Sequence, residues 1–148
     1  MTEIRHEIVI DRSIEDVFNF ATAPFYWPQW HPSSVDVDQP TPQSLQENQT
    51  VIETIKVGLI KDKITWTVRE YEAPSLWVAQ GDAHNGGTAV LQYYFTHWGG
   101  KTQFRRILNY QTANIIMAVG NLIIGRLLMK AESEKALVSL KDQLEKNC

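Results

Sequence analysis

Few side chains in this sequence are placed to do acid–base or ion-pairing chemistry inside a protein. His6 lies in a run where Ile4, His6, Ile8 and Ile10 alternate with Glu3, Arg5, Glu7 and Val9. A period of two makes this run a strand and puts His6 on its inner face. An imidazole there either bonds a polar neighbour in the core or serves a bound molecule as a polar handle or general base. Arg106 belongs to a second alternating run, 101–111, whose even face is Thr102, Phe104, Arg106, Leu108 and Tyr110. An inward guanidinium is costly unless it is paired. Glu53 shares the odd face of 50–57 with Val51, Ile55 and Val57, and is the expected partner. The alternative is that Arg106 binds a ligand carboxylate or enolate oxygen, which suits its planar fork.

Other chemistries lack their residues. The histidines are His6, His31, His84 and His97, with no pair at i, i+3 or i, i+4, and the one cysteine is Cys148. No metal site, internal disulfide or cofactor is expected. There is no Gly-x-Ser-x-Gly elbow. Gly86-Gly87 and Gly99-Gly100 are hairpin turns and not phosphate loops, since neither precedes a helix. His31, directly after Trp30, is expected to be a cap or a surface group. A net charge of −3 argues against a nucleic-acid partner.

The elements that position these residues follow from periodicity. After the first strand, Ser13 is a candidate N-cap for a short helix over about 14–21 with Ile14, Val17, Phe18 and Ala21 on one face. A second, irregular turn of helix runs from Pro24 to about Trp30. Residues 33–37 read as a weak strand and 39–48 as a polar loop. Strands follow at 50–57, 62–72, 76–83, 88–98 and 101–111, joined by short turns, so the sheet is antiparallel. The phase of 88–98 is open: odd positions give Leu91, Tyr93 and Phe95, even ones Val90, Gln92 and Tyr94. From 112 to 146 the period is helical, with Val119, Leu122, Ile123, Arg126, Leu127 and Lys130 on one stripe continued by Leu137, Leu140 and Leu144. A straight helix of that length would measure about 52 Å, longer than a ~40 Å domain. A bend at Gly120 or Gly125 is therefore expected.

With 148 residues, 43% of them hydrophobic, the chain is expected to form one domain over 1–148 with a substantial core. Its first residues are charged and lack an apolar leader, so a cytoplasmic protein is expected. The apolar stretch 115–129 is short for a membrane span and is interrupted by Gly120, Asn121, Gly125 and Arg126, so no stable membrane insertion is expected.

The strand ending Ile10-Asp11, the following Ser13-Ile14-Glu15-Asp16-Val17-Phe18, the aromatic stretch closing on Trp30-His31-Pro32, Gly86-Gly87-Thr88 and the Leu-rich amphipathic end together resemble a known pattern. They resemble the polyketide cyclase/dehydrase and lipid-transport family of the START-like superfamily. The resemblance implies an α+β helix-grip fold: a curved antiparallel sheet of six or seven strands around a long C-terminal helix. It also implies a hollow between sheet and helix for a hydrophobic or aromatic small molecule, in a monomer or homodimer. The candidate ligand contacts are then His6, Glu53, Trp66, Tyr94, Arg106 and Leu108 on the strands. Trp27 and Trp30 are candidates in an aromatic segment that closes the open end of the sheet as core and can also form part of the cavity entrance, and Leu122 and Arg126 are candidates on the helix. The alternative function is a cyclase or dehydratase that uses His6, Arg106 and a tyrosine for acid–base chemistry.

Overall fold

The computed structural model describes residues 2–111 and 124–146, with side chains throughout except at 124–126. The elements are β1 (Thr2–Ile10), α1 (Ile14–Ala21), a 3-10 turn (Pro24–Tyr26), α2 (Trp27–Trp30), β2 (Ser34–Val37), β3 (Thr50–Val57), β4 (Ile60–Glu72), β5 (Leu76–Ala83), β6 (Thr88–Trp98), β7 (Lys101–Gln111) and α3 (Ile124–Lys146). The seven strands form one antiparallel sheet in the order β1-β7-β6-β5-β4-β3-β2. The chain meanders from β2 to β7, and β1 then adds beside β7. The sheet curls into a half-barrel, giving the α+β helix-grip architecture.

Local chemistry sets the boundaries. Ser13 caps α1 by accepting from the Asp16 backbone N–H at 3.2 Å, and Ile14, Val17, Phe18 and Ala21 face the sheet. Pro28 is tolerated because it falls in the first turn of α2, where its missing N–H is not needed. The loop after β2 is more than a polar spacer. Leu45 within it is buried, its N–H bonds the Thr22 carbonyl, and its carbonyl accepts from Trp77 Nε1 at 2.9 Å.

The inner face of the sheet follows the alternation. Ile4, Ile10, Val51, Trp66, Val68, Leu91, Tyr93, Phe95, Phe104 and Leu108 are all buried. This settles β6: the odd positions point inward. Aromatic rings then stack in series, Trp77 on Tyr93 and Phe95 on Phe104, with Phe18 of α1 edge-on to Phe95. Gly81 of β5 lies directly beneath the Trp66 indole, where a Cβ would sit 2.7 Å from a ring carbon. That close approach requires glycine.

α3 lies chiefly along β1 and also touches α1, α2 and β3. Its C-terminal half is tied down by polar contacts. Lys141 Nζ donates to the Val9 carbonyl at 2.9 Å, Arg12 donates to the Leu144 carbonyl at 2.7 Å, and Glu145 accepts from the Asp11 N–H at 2.9 Å. Its buried stripe is Ser133, Ala136, Leu137, Leu140 and Leu144. Leu127 is a correction: it is 64% exposed. At about 100° per residue it stands some 140° round the helix from Leu140, off the buried face. The expected stripe residues Val119, Leu122 and Ile123 and the expected bend at Gly120 lie outside the described residues, and Gly125 continues the helix backbone. Among the described residues no helix is long and apolar enough to cross a membrane.

The two leucines give a direct test. Leu140→Ala should cost roughly 2–5 kcal/mol in urea denaturation, whereas Leu127→Ala should stay within about 0.5 kcal/mol. Gly81→Ala should cost about 1–3 kcal/mol by overpacking against Trp66. Equal effects of the two leucine changes would contradict this placement of α3.

Candidate functional site

Register brings the polar inner residues into one row. His6 of β1 pairs with Arg106 of β7, Arg106 with Tyr93 of β6, and Tyr93 with Trp77 of β5. All four therefore share the inner face. Arg106 is only 6% exposed. Its Nη1 donates to Ser133 Oγ of α3 at 3.0 Å, its Nη2 lies 3.2 Å from His31 Nε2, and its Nε has no partner. Ser133 Oγ is also 3.1 Å from His6 Nδ1, and His6 Nε2 is 3.3 Å from a Glu134 carboxylate oxygen. Arginine can only donate, so the Ser133 hydroxyl is free to donate to His6 Nδ1, and His6 Nε2–H then donates to Glu134. A polar chain thus runs from the buried guanidinium to the surface.

The expected Arg106–Glu53 ion pair is a correction. Among the described residues the side-chain ion pairs within 4 Å are Arg5–Glu3, His6–Glu134, Arg12–Asp16 and Lys141–Glu145. Glu53 instead accepts from Trp66 Nε1 at 3.0 Å, with the Ser34 hydroxyl close by but outside hydrogen-bond geometry. Burial raises the Glu53 carboxyl above its usual range, against smaller lowering effects of Ser34, Trp66 and the Arg106 charge. Burial likewise pushes the Tyr93 phenol up to about 12, opposed by the neighbouring Arg106. Tyr93 therefore stays protonated, and toward Arg106 its oxygen can only accept.

His31 is the C-cap of α2, as one of its two expected readings had it, with its N–H bonding the Trp27 carbonyl at 2.8 Å, but it is not a surface group. Although the residue is partly exposed, its ring turns inward from the end of α2. Burial first, and the Arg106 charge second, hold its pKa well below the usual histidine value. At neutral pH the ring is uncharged and has one accepting nitrogen. Two donors approach it, Arg106 Nη2 at Nε2 and the Ser33 N–H at Nδ1, each at 3.2 Å. In either tautomer one of these contacts sets a donor against a donor. Ser133 was missed. The only hint of it was a small polar residue at the α3 position that aligns with Leu137 and Leu140.

The remaining candidates divide. Trp66 and Leu108 are buried on the inner face beside this cluster, and Trp30 is buried with its Nε1 unpartnered. Trp27 is core: its Nε1 donates to the Ala21 carbonyl at 2.9 Å and its ring stands edge-on to Trp77. Tyr94 is corrected to the outer face, where Arg105 lies 4.9 Å over its ring, and Tyr93 takes the inner place. Leu122 lies outside the described residues, and so does the side chain of Arg126.

Chemically, the cluster is a buried cation with surplus donors set in an aromatic wall. A base with a strongly depressed pKa and a phenol near 12 are both far from neutral pH, where proton transfer is most effective. The arrangement is better suited to holding an acceptor atom than to moving protons.

Comparison with known proteins agrees with this architecture. A family model described as "Polyketide cyclase / dehydrase and lipid transport" matches residues 1–145. No curated protein matches the chain. Among solved structures, a protein of Thermus thermophilus superposes with a TM-score of 0.78 at 14% identity, covering 99% of both chains. A Chromobacterium violaceum protein gives 0.74 at 10% identity, covering 97% of this chain and 96% of its own. DynU16, a putative protein of the dynemicin biosynthetic locus, gives 0.68 at 14% identity, covering 98% of this chain and 48% of its own. At such identities the likeness is one of fold.

The shifted groups predict opposite pH effects. The unfolded chain protonates His31 near pH 6.5, which the native ring resists. Stability should therefore fall as pH drops through and below 6.5, with a slope approaching about 1.4 kcal/mol per pH unit. His31→Asn should flatten that slope. Glu53 acts the other way, because the native state binds its proton more tightly, so stability falls as pH rises through its window. Glu53→Gln should therefore stabilise at pH 7–8, with a gain that shrinks toward pH 4. Denaturation midpoints across pH 4–8 check both, and an unchanged profile in either variant would contradict the assigned burial.

Proposed function

We propose, from the premise that this chain belongs to the polyketide cyclase/dehydrase and lipid transport family, that it holds a hydrophobic or aromatic small molecule between the curled sheet and α3. The molecule presents an acceptor oxygen, of a carboxylate, carbonyl or enolate, to Arg106 and His31. One observation carries this reading: the donors around Arg106 outnumber their acceptors. Arg106 Nε has no partner, and Arg106 Nη2 and the Ser33 N–H compete for a single His31 lone pair. Buried donors without acceptors are costly. A ligand oxygen within reach of Arg106 and of a protonated His31 Nε2 removes that cost. Apolar walls with a few oriented polar groups are the usual composition of small-molecule sites.

The catalytic alternative, a cyclase or dehydratase, draws on the same residues. Glu53 gives it its main support, as a buried carboxyl shifted toward neutral pH. The pKa directions of His31 and Tyr93 favour binding over turnover.

Fluorescence titration separates the outcomes. An apolar dye such as 1-anilinonaphthalene-8-sulfonate should bind saturably near 1:1 and be displaced by naphthoate and by neutral naphthalenemethanol. Arg106→Leu should weaken naphthoate more than tenfold, since a charged hydrogen bond is worth about 1.5–3 kcal/mol, and should spare the alcohol. No saturable binding, or equal weakening of both competitors, would reject the proposed role of Arg106.

A further inference from the structure

The tip of the β3–β4 hairpin presents its most apolar side chains to solvent. Leu59 is fully exposed and Ile60 is 43% exposed. The patch continues onto α3, because Leu128 packs against Gly58 at the tip: a Cβ built on Gly58 would lie 3.3 Å from Leu128 Cδ1. Leu128 and its neighbour Leu127 are themselves exposed. Two elements distant in sequence thus build one protruding apolar surface, and such surfaces mark interaction sites.

The charge around it identifies the partner. Lys56 and Lys61 are directly opposite each other, and Lys63 is opposite Thr54, so all three point to the outer face of the hairpin. All three are exposed, as is Lys130 on α3. Like charges directly opposed across strands are destabilising. Among the described residues none of these lysines is in an ion pair. The acidic groups nearby include Asp36, which shares the outer face beyond Thr54, Asp82 of β5, exposed on that face opposite Thr65, and Asp62, which lies on the inner-facing phase of β4. A chain of net charge −3 therefore gathers three lysines on the hairpin that carries its most exposed leucine. An apolar tip with a basic collar matches a bilayer surface, where the tip enters the headgroup region and the collar meets anionic lipid.

We propose that the β3–β4 tip, with the adjoining Leu127 and Leu128, docks this protein reversibly on anionic membranes. This is peripheral contact and not insertion. It stands apart from the ligand reading, since none of these residues belongs to the Arg106 cluster.

Co-sedimentation with large unilamellar vesicles tests it. The intact protein should bind phosphatidylcholine–phosphatidylserine (4:1) vesicles at low salt, bind pure phosphatidylcholine far less, and dissociate at 0.5 M salt. Leu59→Asp should weaken binding tenfold or more. Lys56→Glu and Lys61→Glu should each weaken it about fivefold while leaving the thermal midpoint unchanged or raised, because an opposed like-charge pair is removed. Failure to bind the anionic vesicles overturns the proposal. So does binding that responds to the lysine changes but not to Leu59→Asp, which would mark a simple anion site. Light scattering that shows a dimer dissociated by Leu59→Asp, without vesicle binding, would assign the patch to a second copy of the chain and also overturn it.

Discussion

A guanidinium enclosed without a carboxylate is the constraint around which the inner face is organised. Arginine does not shed its proton at any pH a folded protein meets, so the neighbours of Arg106 must adapt to its charge. They do so as neutral acceptors and dipoles. Ser133 interrupts the apolar stripe of α3 to offer an oxygen, His31 is held uncharged, and Tyr93 stays protonated. Glu53, the carboxylate that could have neutralised the charge, is engaged with Trp66 instead. Replacing such a group with a well-packed apolar one often stabilises a fold. A purely stabilising role would not account for its presence, whereas the ligand-holding role proposed above would.

The inner face has two characters. Around α1 the rings of Phe18, Phe95, Phe104, Tyr93 and Trp77 stack edge-on and face-on, and the Tyr93 phenol lies beside Arg106. At the other end the sheet carries Ser34 and Glu53, with His31 at the end of α2 and the unpartnered Trp30 Nε1 nearby. Solid aromatic packing at one end fixes the sheet curvature. The donor-rich end is where chemistry is concentrated.

Much of this was legible in the sequence because strands with one covered face keep strict alternation. β1, β3, β4 and β7 each showed it, so the inward positions of His6, Glu53, Trp66 and Arg106 were readable. β6 was ambiguous for a physical reason: Tyr94 on its outer face is half-covered by Arg105, so both phases look apolar. Leu127 misled because a leucine beside a hydrophobic stripe resembles a member of it, and only the phase set by Leu137, Leu140 and Leu144 excludes it. His31 and Ser133 were invisible because their importance comes from what lies across the fold. Ser133 stands between Glu132 and Glu134, which makes that turn look solvated. Pairwise partners are likewise beyond periodicity: it put Arg106 and Glu53 on one face but could not show that they fail to meet.

The margins of the sheet also matter. An open half-barrel has two bare edges, and bare edges recruit other strands. Here one edge, β1, lies under α3, whose Lys141 ammonium takes the Val9 carbonyl. The other, β2, is four residues long, shifts register between Ser34 and Asp36, and leads into a loop with Pro40 and Pro42. Neither margin offers an incoming strand a long, regular ladder. The sheet can remain an unclosed half-barrel and still resist the edge-to-edge growth that turns β-rich chains into aggregates.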